Sequence, residues 1–232
     1  MDDYIGEIIK ATDANQYLPL NEMVYNGLRK AIIDGRVPIG IRINEKEYAD
    51  RMNISRTPVR EALKRLEVED LVEYIPRFGV IVKKINRADI IEIYQIRVAL
   101  DVLATDNAMK LMSETQFDEM KDLLELTEEK NRNGDIDGVI ALFTDFNTMI
   151  YKNAKMPRLI SILAKLQEYL LRFRDISIRG EARRRKALDE HWLIYRAMKN
   201  KDEEQVAMII EEHLLYSMQF IIAETEKSNE KC

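Results

Sequence analysis

The chain has 232 residues, 46% of them hydrophobic and 33% charged, with a formal net charge of −5. That is enough apolar mass for a small domain and a medium one under a well-solvated surface, and the overall sign does not by itself suggest a nucleic-acid partner. The single cysteine, Cys232, excludes an internal disulfide framework and a Cys-rich zinc site, and 8 Gly and 5 Pro over this length favour long helices over many short strands.

The opening Met1-Asp2-Asp3-Tyr4 carries acids where an export signal carries bases, and no apolar run approaches the roughly 20 residues that span a bilayer. A cytoplasmic chain with no membrane partner is therefore expected. Charge is unevenly spread. Residues 17–85 hold 13 Lys+Arg against 10 Asp+Glu, whereas residues 86–232 hold 22 against 27. A mildly basic first part joined to an acidic remainder suggests two tasks.

Residues 1–18 read as an N-terminal arm able to pack on a neighbouring surface. Ile5, Ile8 and Ile9 allow one amphipathic turn, which Asp13-Ala14-Asn15-Gln16 breaks. Leu20, Val24, Leu28, Ala31 and Ile32 then recur at helical spacing, and Asp34-Gly35 ends that helix. After a turn at Val37-Pro38-Ile39-Gly40, Asn44 caps a short helix with Tyr48, Ala49 and Met52 on one side, and Asn53 ends it in a left-handed conformation. In the third helix Thr57 is expected as N-cap and Pro58 as first helical residue, with Val59, Ala62, Leu63 and Leu66 as the apolar stripe. Leu71–Ile75 and Val80–Val82 read as strands joined by Pro76-Arg77-Phe78-Gly79. Three helices and a hairpin over residues 19–85 make a winged helix-turn-helix.

From residue 86 the strand signal stops. Asn86 with Asp89 opens a helix of about 25 residues, and Ser113-x-x-Gln116 is a capping box. Gly134, Met156-Pro157, Gly180 and Asp202-x-x-Gln205 punctuate the rest. About six helices with short loops form an antiparallel bundle over residues 86–232, so the fold is mainly α.

In a helix-turn-helix the second helix enters the major groove tip first. With the apolar stripe facing the core, Arg60 and Lys64 point away from it and Arg56 and Thr57 stand at the tip. Arginine can grip guanine O6 and N7 with two hydrogen bonds, and a helix start suits a phosphate. Lys46, Arg51 and Arg77 add charge nearby. The same charges on an ordinary exposed helix would be merely solvated.

The stretches Leu28-Arg29-Lys30-Ala31-Ile32-Ile33-Asp34-Gly35, Asn44-Glu45 and Ser55-Arg56-Thr57-Pro58-Val59-Arg60-Glu61-Ala62-Leu63-Lys64-Arg65-Leu66 resemble the DNA-binding domain of GntR-family transcription regulators. The resemblance implies dimeric binding to a near-palindromic double-stranded operator, with contacts from Lys46, Arg56, Thr57, Arg60 and the wing residue Gly79. Pro38-Ile39-Gly40 replaces a common Pro-Gly, and Asp70 stands where Gly is usual.

The remainder resembles the FadR-like subgroup with its FCD-type ligand-binding domain, through Tyr94-x-x-Arg97-x-x-Leu100-Asp101, Glu190-His191 and Glu212-His213-Leu214. Many members bind a divalent metal through one Asp and three His. The matching positions here are Phe143, Asn147, His191 and His213, so two ligands are gone. Asp145, two residues from Asn147, falls on another helix face. A zinc, nickel or manganese ion would rest on His191 and His213, with Asn147 as a third donor.

The candidate effector residues are Arg97, Phe143, Asn147, Arg174, His191 and His213. Arg97 is expected to face the bundle interior and fork a carboxylate, or else to pair with Asp101 four residues on. The run Arg183-Arg184-Arg185-Lys186 reads as a solvated face, and Trp192 as core. The expected function is a DNA-binding regulator, of repressor type, homodimeric, answering to a small organic, sugar or amino acid. An acyl-CoA-responsive, metal-independent regulator is the alternative. An enzyme is disfavoured, because two histidines with no Gly-rich phosphate loop and no His-Glu-x-x-His leave little to build catalysis with.

Overall fold

The computed structural model describes residues 3–12, 18–83 and 86–229, with side chains throughout except at 169, 171–177, 224 and 227–229. The chain divides into two compact units, Met1–Ile85 and Asn86–Cys232.

In the first unit the order is α1 (Tyr4–Ala11), α2 (Leu20–Ile33), β1 (Arg42–Ile43), α3 (Glu45–Met52), α4 (Arg56–Val68), β2 (Val72–Ile75) and β3 (Gly79–Val82). The expected stripe of α4, Val59, Ala62, Leu63 and Leu66, is buried, against Val24, Leu28, Ala31 and Ile32 of α2 and Tyr48 and Ala49 of α3. Asn44 caps α3 by accepting from the N–H groups of Lys46 and Glu47, and Asn53 ends it at φ 53°. β3 lies between its neighbours in a three-stranded antiparallel sheet, with Tyr74 opposite Val80 and Arg42 opposite Ile81. β1 was not expected: two residues are too few to show alternation.

The N-terminal arm is longer in helix than the single turn expected of it. Residues 4–11 form a helix that packs on α2, with Ile8 buried and the Thr12 hydroxyl 3.2 Å from the Tyr48 hydroxyl. Gly27 makes this crossing possible, since a Cβ there would lie 1.9 Å from Thr12 Oγ1. The Asp13–Gln16 break lies outside the described residues.

The second unit is all helical among its described residues: α5 (Arg87–Leu111), α6 (Glu114–Arg132), α7 (Ile136–Ala154), α8 (Pro157–Arg179), α9 (Glu181–Lys199) and α10 (Glu203–Asn229). The expected start signals operate. Asn86 with Asp89 and Ser113 with Gln116 form reciprocal capping boxes, and Asp202 accepts from the Gln205 N–H at 3.0 Å. α5 is central, packing on α7 and α10. Glu203–Ala223 is long and apolar enough to cross a membrane by length and composition, although Glu203, Glu204, Glu211 and Glu212 interrupt it. Its residues Val206, Ile210, Leu214 and Ile221 are buried in the bundle.

Candidate DNA interface and ligand pocket

Helix α4 starts two residues earlier than expected. Ser55 is the N-cap, without a side-chain cap bond, so Thr57 is the second helical residue and Pro58 the third. An N-cap hydroxyl bonds the N–H of the second or third residue, and the third has none, so capping is weakly favoured. The uncapped first turn, with Arg56 and Thr57 exposed, is a positive helix end of the kind that takes a phosphate oxygen.

Lys46, Arg51, Arg56, Arg60, Lys64 and Arg77 are all exposed. Two of them are already engaged. Arg60 Nε lies 3.3 Å from Glu45 Oε2. Arg51 holds Asp3, with Nη2 to Oδ2 at 2.9 Å. The Arg51 hydrogen bond, helped by the Gly6 N–H, keeps the Asp3 carboxyl well below its usual range. Arg65, on the same helix, turns the other way: Nη1 meets Glu22 Oε1 at 2.6 Å and the guanidinium lies 3.7 Å from the Tyr25 ring centre. In the wing, Phe78 N–H donates to the Ile75 carbonyl at 3.0 Å, with Arg77 at φ 67°. Gly79 stands at φ 105°, and a Cβ there would meet Arg42 Nε at 3.3 Å.

In the second unit Arg97, Phe143, Asn147, His191 and His213, five of the six residues chosen from sequence, border one cavity of about 50 Å³ between α5, α7, α8, α9 and α10. The Arg174 side chain is outside the described set. Asp145 is exposed, as its offset required. Arg97 makes the neighbouring pair: Nη2 lies 3.1 Å from Asp101 Oδ2, with the two side chains 11% and 9% exposed. Asp101 is held from its other oxygen by the Tyr151 hydroxyl at 2.5 Å, which accepts from Gln167 Nε2 at 2.6 Å. Burial, and then the Asp101 charge, push the Tyr151 phenol far above its ordinary value, so it stays a donor.

The His213 Nδ1 lies 2.6 Å from Glu190 Oε2. Burial would raise the Glu190 carboxyl, but the His213 bond and charge, with Arg183 and Lys186, outweigh it and hold the group below its ordinary value. These residues do not fit a divalent ion. At the position where the family carries its acid, the Phe143 ring packs edge-on against His191 at 4.7 Å, and the Phe146 ring stacks on the same imidazole at 4.4 Å. Two imidazoles and an amide offer no anionic oxygen, and among the described residues no group of three or more His, Cys, Asp or Glu is placed to hold an ion.

The basic run is a correction: it was expected as a solvated face. Arg183 and Arg184 are buried. Arg184 donates to the carbonyls of Ile178 and Arg179 at 3.3 and 3.0 Å, closing the C-terminus of α8, and to Asn131 at 2.7 Å. Arg183 reaches Ser217 Oγ at 2.7 Å and borders the cavity. Its signal was the spacing: Arg183, Ala187, Glu190, His191 and Ile194 share one buried face of α9. Trp192 is only half-buried and donates to Glu128 at 2.7 Å.

A winged helix-turn-helix with an outward second helix, followed by a helical bundle, defines the class of bacterial DNA-binding regulators with a helical C-terminal domain. The chain belongs to the GntR family: the model of bacterial regulatory proteins of the gntR family matches residues 20–82, and that of the FCD domain matches residues 92–216. It is 28% identical over 207 residues to the HTH-type transcriptional regulator YdhC of Bacillus subtilis, covering 89% of this chain and 92% of that one. It is 27% identical over 191 residues to the gluconate operon transcriptional repressor of the same organism, covering 75% and 74%. Among solved structures, Escherichia coli McbR/YncC superposes with a TM-score of 0.63 at 26% identity, covering 91% of this chain and 99% of that one.

Proposed function

We propose that this regulator is a homodimer that binds a near-palindromic operator through α4 and the wing and changes its operator affinity when a small carboxylate enters the bundle cavity. The observation that supports it is the cavity itself: a buried arginine, a histidine and an asparagine amide around a space of about 50 Å³. A space of that size suits a small acid and is too small for an acyl-CoA chain without repacking. The relative named for a gluconate operon makes a sugar acid a natural test ligand. Coupling requires only that the ligand bind one arrangement of the DNA-reading heads more tightly than the other.

The test is fluorescence anisotropy on a duplex selected by the protein from a random pool, with acetate, lactate or gluconate added. A shift of operator affinity by at least one of them, at a protein mass by light scattering equal to two chains, is expected. A protein without preference among duplexes, or with operator affinity indifferent to all three acids, refutes the reading.

A further inference from the structure

The cavity contains a second cation that no sequence motif marked. Arg183 on α9 is 5% exposed in its side chain, yet it borders the same space as Arg97 on α5. Each guanidinium is steered by one carboxylate: Arg97 by Asp101 at 3.1 Å and Arg183 by Glu190 at 3.4 Å. Ser217 accepts from Arg183 Nη2 at 2.7 Å, and Ser217 Oγ in turn donates to the His213 carbonyl at 2.9 Å. These bonds steer both guanidiniums, using Nη2 of Arg97 and both terminal nitrogens of Arg183. In both residues Nε is buried and meets no protein acceptor among the described residues. A buried N–H on a cation is costly to leave unmade, and the two side chains that carry these groups border one cavity.

We propose that Arg97 and Arg183 form a metal-independent clamp that binds the effector's carboxylate. This rests on the effector reading above and adds its chemistry. The donor count selects the ligand class. Two buried Nε–H groups, one on each side chain, match the two oxygens of one carboxylate. The ligand is therefore a small monocarboxylate whose two oxygens accept from the two Nε–H groups, with Ile140, Leu170 and Leu214 around its apolar part.

The experiment is calorimetric titration of the full-length, untagged protein with acetate, lactate, gluconate and succinate, before and after exhaustive EDTA treatment. At least one monocarboxylate binds, with the same affinity after EDTA, and more tightly than succinate. Arg183→Gln weakens that binding tenfold or more, and Arg183→Lys, which keeps the charge and loses the fork, recovers part of it. Because Arg183 is buried, the wild-type protein provides an independent reading: the Nε–H resonances of two arginines shift on titration. Binding that needs added zinc, nickel or manganese overturns the clamp. So does tighter binding of succinate, an unchanged affinity in Arg183→Gln, or unmoved Nε–H resonances. If an acid alters operator affinity while Arg183→Gln responds as wild type, the clamp alone fails. If no acid binds or alters operator affinity, the effector reading fails with it.

Discussion

The arginines of α4 and those of α5 and α9 are the same side chain in opposite situations. Arg56 and Arg60 stand in water at the edge of their unit, where a charge costs nothing to keep and is free to meet a phosphate or a guanine. Arg97, Arg183 and Arg184 are inside or nearly so, and each is bound to a carboxylate, a hydroxyl, an amide or a helix end. A buried cation is tolerated only when its surroundings are built around it. The first unit therefore carries its chemistry on a surface that stability hardly notices, and the second carries it in a core where function and stability share the same bonds.

That contrast can be broken most sharply at Asp101. Asp101→Ala leaves the Arg97 guanidinium buried without its carboxylate and the Tyr151 hydroxyl without its acceptor, so a loss of about 3–5 kcal/mol is expected in urea unfolding of the second unit. A loss under 1 kcal/mol would mean that Arg97 is effectively solvated. Arg60→Ala should do the reverse. Its Glu45 pair is exposed and worth little, so stability changes by no more than about 0.5 kcal/mol. Operator affinity falls by about 1–3 kcal/mol, with base preference relaxed at one position. Unchanged preference would remove Arg60 from base reading.

The difference in surroundings also explains what the sequence showed and what it hid. Element starts were legible because capping is local: Asn44, Asn86, Ser113 and Asp202 each act on N–H groups two or three residues away. The stripe of α4 was legible because it is purely apolar. Arg183 and Arg184 were misread because side-chain polarity was taken as a guide to exposure, whereas partners 34 and 53 residues away in sequence decide it. The docking site of α1 was hidden for the same reason: it depends on Gly27 and Tyr48, which local pattern cannot link to Thr12. Arg97 was left between two roles, and the structure gives it the Asp101 pair and a place on the cavity wall together.

A smaller effect tests the capping argument inside the first unit. Asn44→Ala should cost about 1 kcal/mol, read as a lower thermal midpoint, because the N–H groups of Lys46 and Glu47 lose their acceptor. Ser55→Ala should cost less than Asn44→Ala, since Ser55 makes no side-chain cap bond. Equal losses would show that the Ser55 hydroxyl does cap α4 in solution.

The smallest expected effect is at Asp70, where the chain departs from the family's usual glycine. Asp70 sits at φ 63°, in the left-handed region, and its carboxylate pairs with Lys83. Left-handed backbone costs a residue with a Cβ about 1–2 kcal/mol, less for Asp than for most. Glycine removes that cost but gives back about 0.5–1 kcal/mol through the freedom of its unfolded chain. The Lys83 pair, with Asp70 largely exposed, adds no more than about 1 kcal/mol. These terms nearly cancel, so Asp70→Gly should lie within about 0.5 kcal/mol of the parent. Asp70→Ala keeps the strain and loses the pair, and should fall below the glycine variant by about 1 kcal/mol. Urea midpoints of the two variants decide it. A glycine variant less stable than the alanine one would mean that the freedom of the unfolded glycine chain outweighs the left-handed strain at this position.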